Sequence, residues 1–576
     1  MALAHSNFQE LSHQLRFLLF EVGIGLPQRA IEHFISLAHR QCLQRLQQAV
    51  MREGLIAEPI ISHHVHDFLA QLQAKLKTNQ PASVFFHWQR LRDELDESIA
   101  NDAMAQAYRQ HWQAGLKRQA KNYTSFWMWL STEQNCQDII QLLEQWGCLG
   151  HPSQPQFRAK IGFSRREVLQ YSPEFNAQIS LHWCALRKQQ AQLTTNQINY
   201  SELIANQFPK EYKLWQEKLR FKQVDITEYY PMPMHPWQWR NQLQNTFSSL
   251  IDRKELILIP HHQLVKPSMS FRTTMPLRNN ACHLEFASTA STDPALLSTS
   301  TTDSFSFSVW LSQLLHQNQH YEQSLFLAEE LAGLSVQEKP ISTTQDKQFV
   351  LTLRKNPGSF LQPWQKMVPL AALFTQSPLS NLPLLIEIIS SSGLNPIDYF
   401  RLYCRQVLTG QLHLLLHYGV AIDSHQQNTL VIFTDNKPEA LIVREQAKGL
   451  VCIHPCYQHV VKPVFHTGSA ITTDNLALLC QQFIEGNLQN NLAYWLCLLN
   501  RYFSLRAETL WRVVYNELQT ALKKLSPSIE SGIFKQQSDR LLAEPWHCQC
   551  QLSMFLTNRN EGLSKRITNP LHSFYN

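Results

Sequence analysis

The stretch GVAIDSHQQNTLVIF, beginning at Gly419, breaks an apolar run with consecutive polar residues: Asp423, Ser424, His425, Gln426, Gln427 and Asn428. Polar side chains between buried segments must be satisfied or used. A second strand-like run, EALIVRE, ends in Arg444 and Glu445. A loop and an adjacent strand end can deliver His425, Asn428, Arg444 and Glu445 to one cleft. Those residue types suit nucleotide phosphates with Mg²⁺. A guanidinium holds phosphate oxygens, while a carboxylate and an amide oxygen hold the metal. The plainer reading is a polar turn with ordinary surface charges.

Stable elements must flank such a loop. FRLYCRQVLTGQLHLLLHYG reads as a long helix with Gly419 as its C-cap. TLVIF and EALIVRE read as a hairpin joined by TDNKP, with Asn and Pro in its turn. Further upstream, ELILIPHHQLVKPSMSFRTTMPL has the β-branched and aromatic content of strands. Residues 7–145 read mostly as helices, and the helical period stops at GCLGHPSQPQFRAKIGFS, where Gly and Pro cluster. The 576 residues are too many for one hydrophobic core. Three lobes are expected: a helical one over 1–146, a mixed one over 147–345 and a third over 346–576. STASTDPALLSTSTTDSFSFS has the composition of a linker, but Phe305, Phe307, Val309 and Trp310 predict that it docks.

Composition narrows the function classes. The net charge of +6 is spread along the chain without a like-charged block, so no nucleic-acid partner is expected. No run approaches the ~18 apolar residues of a membrane span, and the N-terminus lacks the pattern of a signal peptide. The 12 Cys are scattered without paired CxxC motifs, as in a reduced cytoplasmic protein. His63, His64 and His66 could ligate a metal, but a polar turn between helices is the better reading of their spacing. A catalytic loop before a metal-bearing hairpin is also the layout of kinase-type phosphotransferases. Against a protein kinase, Gln426 and Gln427 stand where its catalytic Asp belongs, and no GxGxxG loop occurs.

The same residues resemble the signature of the IucA/IucC (aerobactin-synthetase-like) family of NRPS-independent siderophore synthetases. In that family a Gly-x-Ala-x-Glu-x-His-x-Gln-Asn loop precedes a hairpin and an Arg-Asp pair. GHPSQPQFRAKIGFS resembles its GHPxHPxxKxRxGFS, PMPMHPWQW its PxHPWQ, KPSMSFRTTMPL its SxRT segment, and SKRITNPLH its closing Asn-Pro-Leu. Five motifs in order carry the resemblance, from about residue 147 onward.

The resemblance implies an α+β fold shaped as a cupped hand, with a helical thumb lobe, fingers, and a kinase-like palm. It implies ATP- and Mg²⁺-dependent adenylation of a carboxylate, usually of citrate, followed by attack of an amine, hydroxylamine or alcohol. Dimerisation is common in the family, so a homodimer is one expectation. On the nucleotide side it implies roles for His151, Arg158 (in place of Lys), Ser270, Arg272, Thr273, His425, Gln427 and Arg444. Asn428 and Glu445 (in place of Asp) are the implied metal ligands, and His425 with Arg272 the implied catalytic pair.

The acid side departs from the family. After SxRT the family has His-Leu-Lys, its Lys facing the substrate; CHLEF puts His283 and Glu285 there. The family's following Arg has no counterpart, since no Arg or Lys occurs between residues 279 and 338. A charge pair at 4 Å contributes about 4 kcal/mol at an effective dielectric near 20, so exchanging Lys for Glu removes that attraction and adds similar repulsion. Arg278, Lys266 or His283 could compensate. The alternatives are an acid with fewer carboxylates, an acid whose amine Glu285 binds, and a non-catalytic relative that binds nucleotide or a siderophore intermediate.

Overall fold

A computed structural model describes residues 8–150, 154–243, 247–277, 280–286, 301–318, 324–336, 350–446, 449–559 and 562–575. Helices with apolar residues three and four apart build the N-terminal region. The helices Phe8–Glu21, Gln28–Glu53, Val65–Asn79 and Trp88–Gln119 share a core that includes Leu15, Leu46, Phe68, Leu91 and Ile99. Residues from far along the chain complete it. Leu552 and Leu556 of the helix Gln551–Thr557 are buried in the same cluster. The Glu53 carboxylate accepts the backbone N–H groups of Leu552 and Ser553, each at 2.8 Å, which satisfies two orphan donors of that helix's first turn.

Two sheets frame the centre of the molecule. The larger has eight antiparallel strands in the order Ala191–Thr195, Glu330–Val336, Val350–Arg354, His283–Phe286, Thr273–Pro276, Leu256–Pro267, Ile179–Arg187 and Tyr229–Met234. Its buried face packs with Trp183, Trp215, Leu284, Leu334 and Leu353. The smaller has four strands, Lys366–Pro369, Thr429–Thr434, Lys437–Val443 and Leu325–Leu327, the last running parallel to its neighbour. Its hairpin turns at Asp435 and Asn436, both at positive φ (50° and 63°), the backbone of a two-residue turn that matches strand twist. The expected hairpin is present, but Pro438 lies in the second strand, opposite Phe433 at a register shift, rather than in the turn.

Residues Thr301–His316 form a helix whose Phe307, Leu311 and Leu315 enter the largest core, so this part of the Ser/Thr-rich run docks. Residues 288–300 of that run lie outside the described residues. The long helix Pro396–His413 continues as a π-helical turn, Leu414–Tyr418, and ends at Gly419 with φ +65°. A Cβ at Gly419 would lie 2.7 Å from the Tyr457 ring, so a residue without a side chain is required there. Among the described residues, no helix is long and apolar enough to cross a membrane.

Candidate active site

The polar stretch after Gly419 is satisfied by a local network. Ser424 is buried and its Oγ donates to Gln411 Oε1 at 2.9 Å. The backbone carbonyl of Gln426 accepts from Ala371 N–H at 3.2 Å. His425 Nδ1 accepts from the Asn428 N–H at 3.1 Å. A neutral His425 therefore carries its proton on Nε2, which lies 3.8 Å from Asp423 Oδ2. Gln427 Nε2 donates to the Met269 carbonyl at 3.1 Å, tying this loop to the turn that carries Ser270 and Arg272.

Asn428 staples the loop to the end of the hairpin. Its Nδ2 donates to the carbonyls of Asp423 and Glu445, both at 2.7 Å, and its Oδ1 accepts the Glu445 N–H at 2.7 Å. This staple sets Arg444 and Glu445 beside His425. The facing turn is held as firmly: the Ser268 Oγ donates to the Ser270 carbonyl at 3.1 Å, and the Thr273 N–H to the same carbonyl at 2.8 Å. Arg272 then meets two acids through one nitrogen, with Nη2 3.5 Å from both Glu285 and Glu445.

These elements enclose a cleft of about 270 Å³. Ser270, Arg272, Thr273, His283, Glu285, His425, Gln427, Asn428, Arg444 and Glu445 all line it. The structure thus brings together most of the residues chosen from sequence. His151 lies outside the described residues. Arg158 does not line the cleft. It is buried, with Nε 2.7 Å from Asp102 and Nη1 2.9 Å from Glu174. Burial alone would lower its pKa, but Glu174 and Asp102 hold it above the ordinary arginine value. Lys160, two residues on, lines the cleft instead, over the Phe271 ring at 4.8 Å. Lys266 does not line the cleft either, and burial lowers its pKa. Arg278 lies outside the described residues.

Two groups central to the site were missed from sequence. Glu144, on the helix Cys136–Trp146, accepts from Arg444 Nη1 at 2.5 Å and from the Met269 N–H at 2.8 Å. Arg354, on the strand beside that of Glu285, has Nη2 2.6 Å from Glu285 and 3.3 Å from Glu330. Its Nη1 donates to the Arg444 carbonyl at 2.6 Å. Burial would lower the Arg354 pKa, but Glu285 and Glu330 raise it above the ordinary value. His283 is held neutral, its pKa lowered to about 3 by burial and then by Arg444 and Arg354. The one signal for Arg354 was its place in the strand-like run QFVLTLRK, where a charge ends an alternating pattern.

The donor set fits a nucleotide and a divalent ion. Lys160, Arg272, Arg444 and His425 are the cationic and N–H donors that phosphate oxygens need. The Glu445 carboxylate faces the cleft, and Asn428 Oδ1 keeps a lone pair beyond the bond it accepts. One carboxylate, an amide oxygen and phosphate oxygens form the oxygen-rich, partly supplied shell that Mg²⁺ takes.

Residues 140–375 match the IucA / IucC family, and residues 397–564 match a family described as ferric iron reductase FhuF-like transporter. The uncharacterized protein y4xN of Sinorhizobium fredii is 28% identical over 84% of this chain and 80% of its own. The citryl-spermidine/3,4-dihydroxybenzoyl-citryl-spermidine:spermidine ligase of Bacillus anthracis is 22% identical over 73% of this chain and 71% of its own. Among solved structures, the petrobactin biosynthesis protein AsbB of Bacillus anthracis superposes with a TM-score of 0.76 at 17% identity, covering 94% of this chain and 97% of that one. ATP-bound aerobactin synthetase IucA of Klebsiella pneumoniae superposes with a TM-score of 0.68 at 17% identity, covering 93% and 99%. Residues 140–375 thus carry the IucA / IucC family pattern, and the chain has the α+β fold of the petrobactin and aerobactin biosynthesis proteins on which it superposes.

Proposed function

We propose that this chain is an ATP-dependent ligase of siderophore biosynthesis. It joins a carboxylate to an amine, hydroxylamine or alcohol in two steps. A carboxylate oxygen of the acid attacks the α-phosphorus of ATP and displaces pyrophosphate. The nucleophile then attacks the acyl carbon, displaces AMP and loses its proton. A carboxylate is a poor electrophile, so the first step replaces oxide with a better leaving group.

One observation carries this reading: three separate segments, around Arg272, His425 and Arg444, meet at one cleft. Arg272, in the turn before the strand Thr273–Pro276, and Lys160, in the loop before the helix Arg165–Tyr171, would neutralise phosphate charge from one side. Arg444, fixed by Glu144, would do so from the hairpin. His425 would donate from Nε2 to an oxygen that gains charge at the α-phosphorus. Asn428 and Glu445 would hold Mg²⁺, which when bound offsets charge on the polyphosphate. The relatives named as ligases and the ATP-bound structural neighbour support the same reading.

A second reading is a relative that binds nucleotide without turnover, favoured by the acids already paired with Arg272, Arg354 and Arg444. Calorimetry of ATP–Mg²⁺ with the wild type, His425→Ala and Arg444→Ala tests nucleotide placement. Tight wild-type binding, weakened by either change, is expected. Product analysis then separates the classes. Acid-dependent AMP and pyrophosphate mark the ligase, ADP marks a phosphotransferase, and binding without turnover marks the non-catalytic relative.

A further inference from the structure

The acid end of the cleft has an unusual charge arrangement. His283 and Glu285 sit two apart on the strand His283–Phe286, so both face the same side of the sheet, about 7 Å apart along it. Glu285 reaches Arg354 through Oε2 at 2.6 Å and Arg272 through Oε1 at only 3.5 Å. Arg354 is already committed, with Glu285 and Glu330 on Nη2 and the Arg444 carbonyl on Nη1. Arg272 is shared between Glu285 and Glu445. Three carboxylates therefore face two guanidiniums. Burial raises the Glu330 pKa and, although Arg354 opposes this, Glu285 and Glu445 add to the rise.

His283 supplies a second, independent observation. It is 5% exposed, lines the cleft, and its Nε2 has no hydrogen-bond partner among the described residues. An unpaired buried ring nitrogen carries a desolvation cost, and His283 carries it beside the cleft.

We infer that Glu285 and His283 form the seat of an acid that carries its own cation. The substrate is an amine-bearing carboxylic acid, its ammonium against Glu285 Oε1 and beside the neutral His283 ring. The inference rests on the ligase reading and names the substrate class of that site. The carboxylate to be activated then lies toward Arg272 and His425. A tricarboxylate finds no uncommitted arginine among the described residues here, leaves Lys160 to serve it and the phosphates alike, and meets Glu285 as a like charge. An ammonium instead relieves the crowding of Glu285, Glu330 and Glu445. Glu285 acts by direct contact with substrate, so it sets specificity rather than position.

The test is calorimetric binding of citrate, tricarballylate, aspartate, glutamate, ornithine and 2,4-diaminobutyrate to the full chain, with ATP–Mg²⁺ affinity measured on the same preparation. At least one amine-bearing acid should bind wild type tenfold or more tightly than citrate. Glu285→Gln should lose that preference by about tenfold, and Glu285→Asp should retain its direction. Melting curves identify a variant that fails to fold, and Glu285→Asp keeps the question answerable in that case. Citrate binding wild type more tightly than every amine-bearing acid, no acid binding at all, or an unchanged ratio in Glu285→Gln would each overturn the inference. If ATP–Mg²⁺ binds and citrate alone releases pyrophosphate, the ligase reading stands and this one falls. If ATP–Mg²⁺ does not bind, the ligase reading falls, while acid preference is still read directly.

Discussion

Glu144 and Arg444 stand 300 residues apart in sequence and 2.5 Å apart in space. The acid side chain is almost wholly buried, at 2% exposure, and its second oxygen takes the Met269 N–H at 2.8 Å. One carboxylate thus orients the hairpin arginine and the turn before Arg272 together. Breaking a buried pair leaves an uncompensated charge, at about 3–5 kcal/mol. Glu144→Ala should therefore lower stability by about that amount, read by denaturant unfolding. It should also weaken ATP–Mg²⁺ binding tenfold or more by calorimetry, because Arg444 loses its orientation.

Asn428 donates to two carbonyls, which a carboxylate cannot do. Asn428→Asp keeps a metal-binding oxygen but leaves both carbonyls facing negative charge. Each unsatisfied buried group costs about 1–3 kcal/mol. The variant should lose at least about 2 kcal/mol of stability, and added Mg²⁺ should not restore ATP binding. Full rescue by Mg²⁺ would mean that the site does not need the staple and that metal ligation alone accounts for the residue.

Arg158 separates structure from nucleotide contact. Its buried pairs with Asp102 and Glu174 predict that Arg158→Ala destabilises the protein by about 3–5 kcal/mol. Nucleotide affinity should stay within about twofold in the folded fraction. A selective tenfold loss of ATP affinity in a stable variant would return Arg158 to the nucleotide site.

Glu485 gives a pH signature. Burial and then the neighbouring Asp423 raise its pKa to about 8, while a bond to Gln549 opposes the rise. An unfolded glutamate titrates near 4.3. Between these values the folded chain holds a proton that the unfolded chain has released, so stability falls as pH rises from about 4.3 through 8. Glu485→Gln removes the titration. Its melting temperature should be higher than that of wild type at pH 8.5, with the difference shrinking toward pH 5. Equal slopes of melting temperature against pH for the two proteins would contradict the assignment.

The legible part of the site was the part written in contiguous sequence. Six polar residues between apolar runs announced a loop, and the β-branched runs around TDNKP announced the hairpin that carries Arg444 and Glu445. The resemblance added Ser270, Arg272 and Thr273, and all of these line the cleft. Glu144 was illegible because QDIIQLLEQW reads as an ordinary amphipathic helix, and one acid on such a helix is usually solvated. Arg354 was illegible because its partner Glu285 lies 69 residues away, with two strands and a helix between them among the described residues. Arg158 shows the converse error. Its motif position was clear, but its direction depended on Asp102 and Glu174, which no local pattern connects to it.

The seam between Glu53 and the backbone of Leu552 spans 499 residues of chain. At roughly 5–20 residues per second, a ribosome needs about 25–100 s to add the segment that closes it. Throughout that interval the nascent N-terminal helices hold a gap where Leu552 and Leu556 will sit. The half-made polypeptide therefore leaves apolar surface of those helices uncovered, and the earliest-made core is completed among the last.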